Sequence, residues 1–291
     1  MPAPLRIRHT TTYSYLRPVR FAPHRLMLRP RESRDLRLIA SEVTTVPAAK
    51  ITWAEDVFGN AVAVARFDAP ADTLVITSVS DVELSAHAWP LFDIATSASS
   101  FPFLYERDEW TDLGGLMLQQ YLDVGGRLSS WARGFVMGPP TDTLSLLKDL
   151  SAGVSAQIAY QSREVEGTQT PIETLERRAG SCRDMALLFI EAARSLGFGA
   201  RIVSGYLRNA DGALAGAEGE GSTHAWAEIY LPGAGWIPFD PTNRSLGGAN
   251  LIPVAVARDI HQVIPVSGGY TGSPDAFDRL IVQVSDEPLP S

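Results

Sequence analysis

The stretch RRAGSCRDMALLF, residues 177–189, decides the fold because it places the only cysteine of the chain where a turn meets a helix. Ser181 is a good helix-capping residue, and Asp184, three positions later, can complete a capping box. An apolar stripe at helical spacing follows at Met185, Phe189, Ala192 and Leu196. Cys182 is therefore predicted at the first position of a helix.

A thiol at a helix start is favoured as a thiolate. The unpaired amides and the helix dipole stabilise an anion there, so the pKa of Cys182 is predicted to lie below its ordinary value. Arg183 adds a neighbouring positive charge. The alternative is a small buried packing residue, although such a cysteine more often lies inside the apolar stripe. Position alone leaves the two interpretations balanced.

A nucleophilic thiol needs a base, and two of the five histidines occur in the tripeptide HAW. His87 precedes Pro90 at the end of a β-rich region, has no carboxylate on a plausible partner strand, and is interpreted as a linker residue. His224 opens a predicted strand, HAWAEIYL, whose hairpin partner GWIPFD ends at Asp240. His224 is the candidate base, and Asp240 is the candidate for the group that orients it.

The hairpin register follows from the loop. A three-residue PGA loop pairs Leu231 with Gly235, which puts Trp226 opposite Asp240 and His224 diagonal to Asp240. Diagonal neighbours lie about 7–8 Å apart at Cα, within reach of a His–Asp hydrogen bond. Two other residues of that face remain alternatives to Asp240, and these are Tyr230 and the lower-ranked Glu228.

The remaining segments predict an α+β protein in three parts. Residues 1–89 have alternating and β-branched segments between Pro and Gly turns, which is typical of a β-sandwich. Residues 90–140 hold short helical patches and are interpreted as a connector that packs on the core. Residues 141–291 begin with helices, continue with the hairpin, and form a core of helices on an antiparallel sheet with a C-terminal strand. A Gly/Ala/Glu-rich loop is predicted at 208–221.

The composition argues against several classes of protein. One cysteine excludes an intrachain disulfide and a thiol cluster, and it favours a reducing compartment. No apolar run has the length of a signal sequence or a membrane span, so we expect a cytoplasmic protein that does not bind membranes. The net charge of −8 argues against nucleic-acid binding.

The first 40 residues are unusually basic, with nine arginines against Glu32 and Asp35. The simpler interpretation is a basic face that packs beside an acidic one. The other is an anionic partner that binds Arg20, Arg25, Arg29 and Arg31.

The order Cys182, His224, Asp240, each in its sequence context, resembles the core of the transglutaminase-like superfamily. The resemblance covers about 141–264 and is carried by two stretches, TPIETLERRAGSCRDMALLFIEAARSLGFGARIVSGYL and THAWAEIYLPGAGWIPFDPTN. The tail at 254–272 is similar to the segment that closes bacterial members, and the β-rich start resembles their N-terminal domain. The resemblance implies an N-terminal β-sandwich followed by a papain-like/transglutaminase-like core.

The resemblance also implies a papain-like thiol mechanism. By position, Cys182 is the nucleophile, His224 the general base and acid, and Asp240 the residue that orients His224. The substrate is then a peptide or protein amide, and a thioester acyl-enzyme reacts with water or with an amine. The candidates for an oxyanion donor beside the Cys182 amide are Gln157, Tyr160 and Trp226.

Three functions are compatible with these residues. The first is a cysteine peptidase or amidase, the second a transglutaminase-type acyltransferase, and the third a non-catalytic peptide-binding module. The sequence SCRD departs from the CQD common in the superfamily, so Arg183 is expected to change substrate contacts without impairing the thiol. No carboxylate cluster resembles the calcium sites of animal transglutaminases, so neither a metal nor a cofactor is expected.

Overall fold

The computed structural model describes residues 4–162, 167–208 and 223–289. It confirms the α+β class, with a β-rich first part and a core in which helices pack on an antiparallel sheet. The loop predicted at 208–221 lies, apart from Arg208, outside the described residues. None of the helices in these three ranges is long and apolar enough to cross a membrane.

The elements are numbered along the chain. The strands are β1 (Leu5–Phe21), β2 (His24–Leu26), β3 (Leu36–Val46), β4 (Lys50–Glu55), β5 (Ala61–Arg66), β6 (Ala71–Leu84), β7 (Ser100–Phe101), β8 (Thr141–Asp142), β9 (Ala159–Tyr160), β10 (Ala179–Gly180), β11 (Ala200–Leu207), β12 (His224–Leu231), β13 (Gly235–Asp240), β14 (Ser245–Leu246), β15 (Leu251–Ala257), β16 (Val266–Ser267), β17 (Tyr270–Thr271) and β18 (Phe277–Pro288). The α-helices are α1 (Arg107–Leu113), α2 (Arg127–Arg133), α3 (Thr143–Gln157), α4 (Pro171–Arg177) and α5 (Cys182–Ser195).

The first part is a sandwich of two antiparallel sheets. One has the strand order β17-β1-β6-β3, with β18 also paired to β1, and the other has the order β16-β2-β5-β4. Buried positions alternate along β6, as expected for a strand with one face toward a core. The two sheets enclose an apolar cluster whose fully buried members include Leu26, Ala63, Ala65, Leu74 and Ile76.

The end of the chain returns to this sandwich. β18 pairs with β1 along most of its length, from Leu5 opposite Pro288 to Tyr15 opposite Phe277. The predicted domain limits gave residues 141–291 to the core, whereas the structure adds β16, β17 and β18 to the sheets of the first part. The sequence of β18 predicts a strand but not its partner, because that partner lies at the other end of the chain.

The core is built on a five-stranded antiparallel sheet with the order β14-β13-β12-β11-β15. The hairpin of β12 and β13 has the predicted register, with Leu231 paired to Gly235. Gly233 and Gly235 adopt positive φ values of 83° and 74°, which side-chain-bearing residues rarely adopt, so they make this tight loop possible. The residues of β12 therefore alternate between the two faces as predicted.

The two faces of this sheet differ in what covers them. α5 packs on one face, and alternate residues of β12 join its apolar cluster, namely Ala225, Ala227, Ile229 and Leu231. The other set of alternate residues points to the opposite face, and it includes His224, Trp226 and Glu228. This second face is the one that meets the sandwich.

Apolar and polar contacts join the sandwich to the core. An apolar cluster combines Ile7 and Val82 of the sandwich with Ile252 and Val254 of β15. Asn60, in the predicted DVFGN turn, donates to the Val256 carbonyl at 2.7 Å and accepts from the Val256 amide at 2.9 Å. Its side-chain amide thus continues the ladder at the edge strand β15.

The connector packs on the core, where its helix α2 contacts α5. Leu128 and Ala132 of α2 are buried in the cluster that surrounds α5. Glu191 of α5 accepts the backbone amides of Gln120 at 2.8 Å and Tyr121 at 3.1 Å. These contacts fix the connector against the helix that begins at the cysteine.

Candidate active site

The turn before α5 is held by a buried aspartate. Asp184 accepts the amide and the hydroxyl of Ser181, both at 2.8 Å, through Oδ2, and its Oδ1 accepts the Gln169 amide at 2.7 Å. A Cβ at Gly180 would lie 2.9 Å from the Asp184 Cβ, so the turn needs a glycine there. These contacts put Cys182 at the first position of the helix, as predicted.

The hairpin brings a histidine and an aspartate together on the sheet. His224 opens β12 and Asp240 ends β13, and His224 Nε2 donates to Asp240 Oδ2 at 2.7 Å. Both side chains are buried. The diagonal arrangement predicted from the register accounts for this contact, because it leaves a distance that the two side chains can bridge.

Asp240 also holds the turn that follows it. Its Oδ1 accepts the Thr242 amide at 3.0 Å, and its Oδ2 accepts the side-chain amide of Asn243 at 2.8 Å. Asn243 Nδ2 also lies 3.4 Å from His224 Nε2. Ser155 of α3 donates to the Pro241 carbonyl and anchors the same turn. The contact with Thr242 is the Asx turn expected of an aspartate at a strand end, whereas no sequence signal singled out Asn243.

The cysteine side chain meets the same imidazole. The Cys182 thiol interacts with the His224 imidazole and with the Ala225 amide, and both interactions lower the pKa of the thiol. Because Nε2 of His224 already binds Asp240, Nδ1 is the nitrogen that faces the thiol. Cys182 itself remains partly exposed. The structure thus brings Cys182, His224 and Asp240 together, with a hydrogen bond between the last two.

The pKa shifts of these groups favour charge separation. Burial raises the pKa of the Cys182 thiol, but the hydrogen bond and charge of His224, the Ala225 amide and Arg183 outweigh it, so the net shift is downward. Burial lowers the pKa of His224, but Asp240 and Cys182 raise it to about 10. Burial raises the pKa of Asp240, and its hydrogen bond to His224 reverses that shift, so its pKa lies below its ordinary value. These shifts all favour a thiolate–imidazolium pair over the neutral thiol and imidazole.

Of the oxyanion candidates, Tyr160 lies on the strand that pairs with the turn before the cysteine. β9 pairs with β10 so that Tyr160 is opposite Gly180. Burial raises the pKa of Tyr160, and the charge of Cys182 raises it further, which places the phenol within electrostatic reach of the thiol. The side-chain oxygen Oε1 of Gln157 accepts from Trp131 Nε1 at 2.9 Å. Trp226 is buried, and its ring stacks on His224 with centroids 6.1 Å apart.

The alternatives to Asp240 and His224 are engaged elsewhere. Glu228 pairs with Arg201 at 2.6 Å, and the Tyr230 hydroxyl donates to Glu109 at 3.0 Å. His87 is exposed and lies outside the strands. Within the described ranges, no group of three or more His, Cys, Asp or Glu side chains is arranged to hold a metal ion.

Most basic residues of the first segment have acidic partners within the fold. Arg6 binds Asp81 at 2.7 Å, and among the four arginines considered for an anionic partner, Arg25 lies 3.6 Å from Asp56. Arg31 donates to Asn60 at 2.6 Å. The simpler interpretation, a basic segment packed against acidic residues, fits Arg6 and Arg25. An anionic partner for Arg20, Arg29 and Arg31 stays a prediction.

Comparison with known families matches both parts of this architecture. Residues 5–83 match the bacterial transglutaminase-like N-terminal region, and residues 129–241 match the transglutaminase-like superfamily. The chain belongs to the transglutaminase-like superfamily. The second match contains Cys182, His224 and Asp240, so the three residues lie inside the superfamily core.

Full-length relatives and a solved structure share this organisation. An uncharacterized protein of Mycobacterium tuberculosis is 30% identical over 98% of this chain and 92% of its own length. An uncharacterized protein of Mycobacterium leprae is 28% identical over 97% and 98%. A crystal structure from Cytophaga hutchinsonii, provisionally described as a cysteine protease, covers all of this chain and 93% of its own with a TM-score of 0.75 at 17% identity. That similarity concerns the fold.

Proposed function

We propose that this transglutaminase-like protein is a thiol-dependent amide-bond hydrolase, a cysteine peptidase or amidase. The observation that carries the proposal is the chain of contacts from Cys182 at a helix start through His224 to the buried Asp240, with 2.7 Å between the last two. Superfamily membership supports a thiol enzyme, and the charge-separated pair supports a nucleophile that is ionised before substrate binds.

Acylation uses the thiolate and the imidazolium. The Cys182 sulfur attacks the carbonyl carbon of the amide, and the carbonyl π electrons move onto oxygen to form a tetrahedral oxyanion. The Cys182 backbone amide and the Tyr160 hydroxyl are the donors proposed for that oxyanion. When the oxyanion collapses, the C–N bond breaks, and His224 gives its Nδ1 proton to the leaving amine. The products are a free amine and a thioester on Cys182.

Deacylation reverses the proton transfer. His224, now neutral, takes a proton from water as the water oxygen attacks the thioester carbonyl. The C–S bond then breaks, the acid leaves, and the thiolate–imidazolium pair is restored. Asp240 keeps the proton of His224 on Nε2 throughout, so that Nδ1 is free to exchange its proton with sulfur and substrate.

Access of water to the thioester favours hydrolysis over acyl transfer. Cys182 is partly exposed, and more than half of Tyr160, 56%, is accessible to solvent. An acyltransferase must keep water from its thioester, and the described residues leave this side of the site open. Transfer to an amine is the second candidate, and a non-catalytic peptide-binding module is the third.

The test is intact-mass spectrometry of the full chain with a panel of peptide p-nitroanilides. We expect an acyl adduct on Cys182 that water resolves and that hydroxylamine resolves faster. His224→Ala should reduce turnover by about 10²-fold or more, whereas the matched variant His87→Ala should stay within a few-fold of the parent.

Each alternative has its own outcome. An adduct stable to water but resolved by amines identifies an acyltransferase. Peptide binding without an adduct or turnover identifies a binding module and overturns the proposal. Equal losses in His87→Ala and His224→Ala remove His224 from its assigned role. The cytoplasmic location and the peptide or protein amide substrate stay predictions, the first tested by fractionation and the second by the same panel.

A further inference from the structure

A cavity of about 740 Å³ lies between the sandwich and the second face of the core sheet. Its core side is formed by Trp226 and Glu228 of β12 and by Trp236 and Pro238 of β13. The sandwich contributes the segment 33–36. This volume is in the range of cavities that bind small molecules or a few residues of a peptide.

The cavity reaches the candidate active site through Trp226. The Trp226 ring stacks on His224 with an interplanar angle of 23°. Pro238, at the other side of the floor, is two residues before Asp240 on the same face of β13. His224 and Asp240 do not line the cavity themselves, but they lie on the same face of the sheet as Trp226 and Pro238, which do.

The charges of the cavity lining cancel. Arg201 binds Glu228 at 2.6 Å, and Arg34 lies 3.5 Å from Asp35. A ligand with a net charge would find no unpaired counter-charge among these groups and would lose its hydration. The charge pattern favours an uncharged ligand.

The walls are aromatic. Trp89, Phe92, Trp226 and Trp236 line the cavity, and the Arg201 guanidinium covers the Trp236 ring at 4.1 Å. Trp89 stands at the rim with 91% of its surface exposed. Aromatic rings gain most from contact with another flat ring in edge or offset geometry.

We propose that this cavity binds an uncharged aromatic side chain of the peptide amide substrate. The inference rests on the proposed function, because it assigns the cavity to the substrate of Cys182. It gives the enzyme a preference for amides beside phenylalanine, tyrosine or tryptophan.

The test is binding of capped amino-acid amides to full-length Cys182→Ala, measured by calorimetry. N-acetyl-L-phenylalanine amide should bind with a Kd at least tenfold below that of N-acetylglycine amide. The lysine and glutamate analogues should bind at least tenfold more weakly than phenylalanine. Adding Trp89→Ala should raise the Kd for the phenylalanine probe about fivefold. The matched control is Trp110→Ala, an exposed tryptophan outside the cavity lining, which should leave it unchanged.

Equal Kd values for the phenylalanine and glycine probes overturn the inference, as does preference for a charged probe or no effect of Trp89→Ala. A protein mass that doubles with concentration and falls back in Trp89→Ala shows that a second copy fills the cavity, which also overturns it. The proposed function can fail separately from this inference. In that case the wild-type chain forms no acyl adduct on Cys182, while the order of Kd values holds.

Discussion

At the residue scale, the site depends on which nitrogen of His224 carries which proton. Asp240 accepts the Nε2 proton at 2.7 Å, and Thr242 and Asn243 hold the carboxylate in place with hydrogen bonds of 3.0 and 2.8 Å. The carboxylate is fully buried, so its charge is stabilised by these donors and not by water. The orientation of one buried carboxylate therefore decides whether the imidazole presents Nδ1 to the thiol.

Asp240→Asn tests that dependence. Asparagine keeps an oxygen for the Thr242 amide but offers an N–H to His224, which favours the imidazole tautomer with its proton on Nδ1. Turnover should fall by about 10²-fold, less than in Cys182→Ala, because the thiol is partly ionised without full help from its base. The melting temperature should change by only a few degrees, while Asp240→Ala should lose both activity and the turn.

Full activity in Asp240→Asn removes Asp240 from the site. An inactive protein that has also lost its folded structure shows that the residue acts through the turn alone. Only lost turnover with a retained melting temperature supports the arrangement described.

At the element scale, the start of α5 is fixed by contacts that reach beyond the helix. Asp184 joins Ser181, inside the capping box, to Gln169 in the segment before α4. The capping box was predictable because serine and aspartate are three residues apart in the sequence. The contact with Gln169 was not, because it spans fifteen residues and depends on how α4 packs against α5.

Asp184→Ala should therefore destabilise the folded protein more than the loss of a solvent-exposed helix cap would. It leaves the buried amides of Ser181 and Gln169 without their acceptor, at a cost of about 3 kcal/mol in the free energy of unfolding. The matched control is Asp149→Ala on the exposed side of α3, which should stay within about 0.5 kcal/mol. Urea denaturation measures both, and equal small effects would show that Asp184 does not hold the turn.

The same contrast between local and long-range contacts explains which other features could be predicted from the sequence and which could not. The β12–β13 register followed from a three-residue loop, and with it the meeting of His224 and Asp240. The pairing of Glu228 with Arg201, which leaves Asp240 beside the histidine, depends on β11 as a neighbour. The destination of β18 depends on a partner at the other end of the chain. Local spacing predicted the hairpin register and the contact between His224 and Asp240. Packing between distant segments decides the Glu228–Arg201 pair and the position of β18.

At the scale of the whole molecule, the interface between the sandwich and the core contains a buried histidine. His9 of β1 lies within hydrogen-bond distance of Tyr206 of β11 and of Thr11, at 3.0 Å in each case. Burial lowers the pKa of His9 to about 4. His9 is therefore neutral in the folded protein, and its protonation destabilises the interface between the sandwich and the core.

Stability should fall with pH in a definite window. The unfolded chain binds a proton at His9 below about pH 6.5, whereas the folded chain does so only near pH 4, so the unfolded state gains relative stability between these values. This group alone should remove about 2 kcal/mol between pH 7 and pH 5. Denaturation of the wild type and His9→Gln at both pH values checks this. A pH dependence that His9→Gln leaves unchanged would contradict it.

The central claim is that Cys182 is a thiolate paired with an imidazolium before substrate arrives. The most direct measurement is the rate of alkylation of Cys182 by iodoacetamide from pH 5 to 10, in the wild type and in His224→Ala. The account predicts rapid alkylation already at pH 6, where an ordinary cysteine with a pKa near 8.5 is almost fully protonated. It also predicts that His224→Ala shifts the profile toward the ordinary thiol. A wild-type profile with one inflection near pH 8.5, identical in His224→Ala, would contradict it.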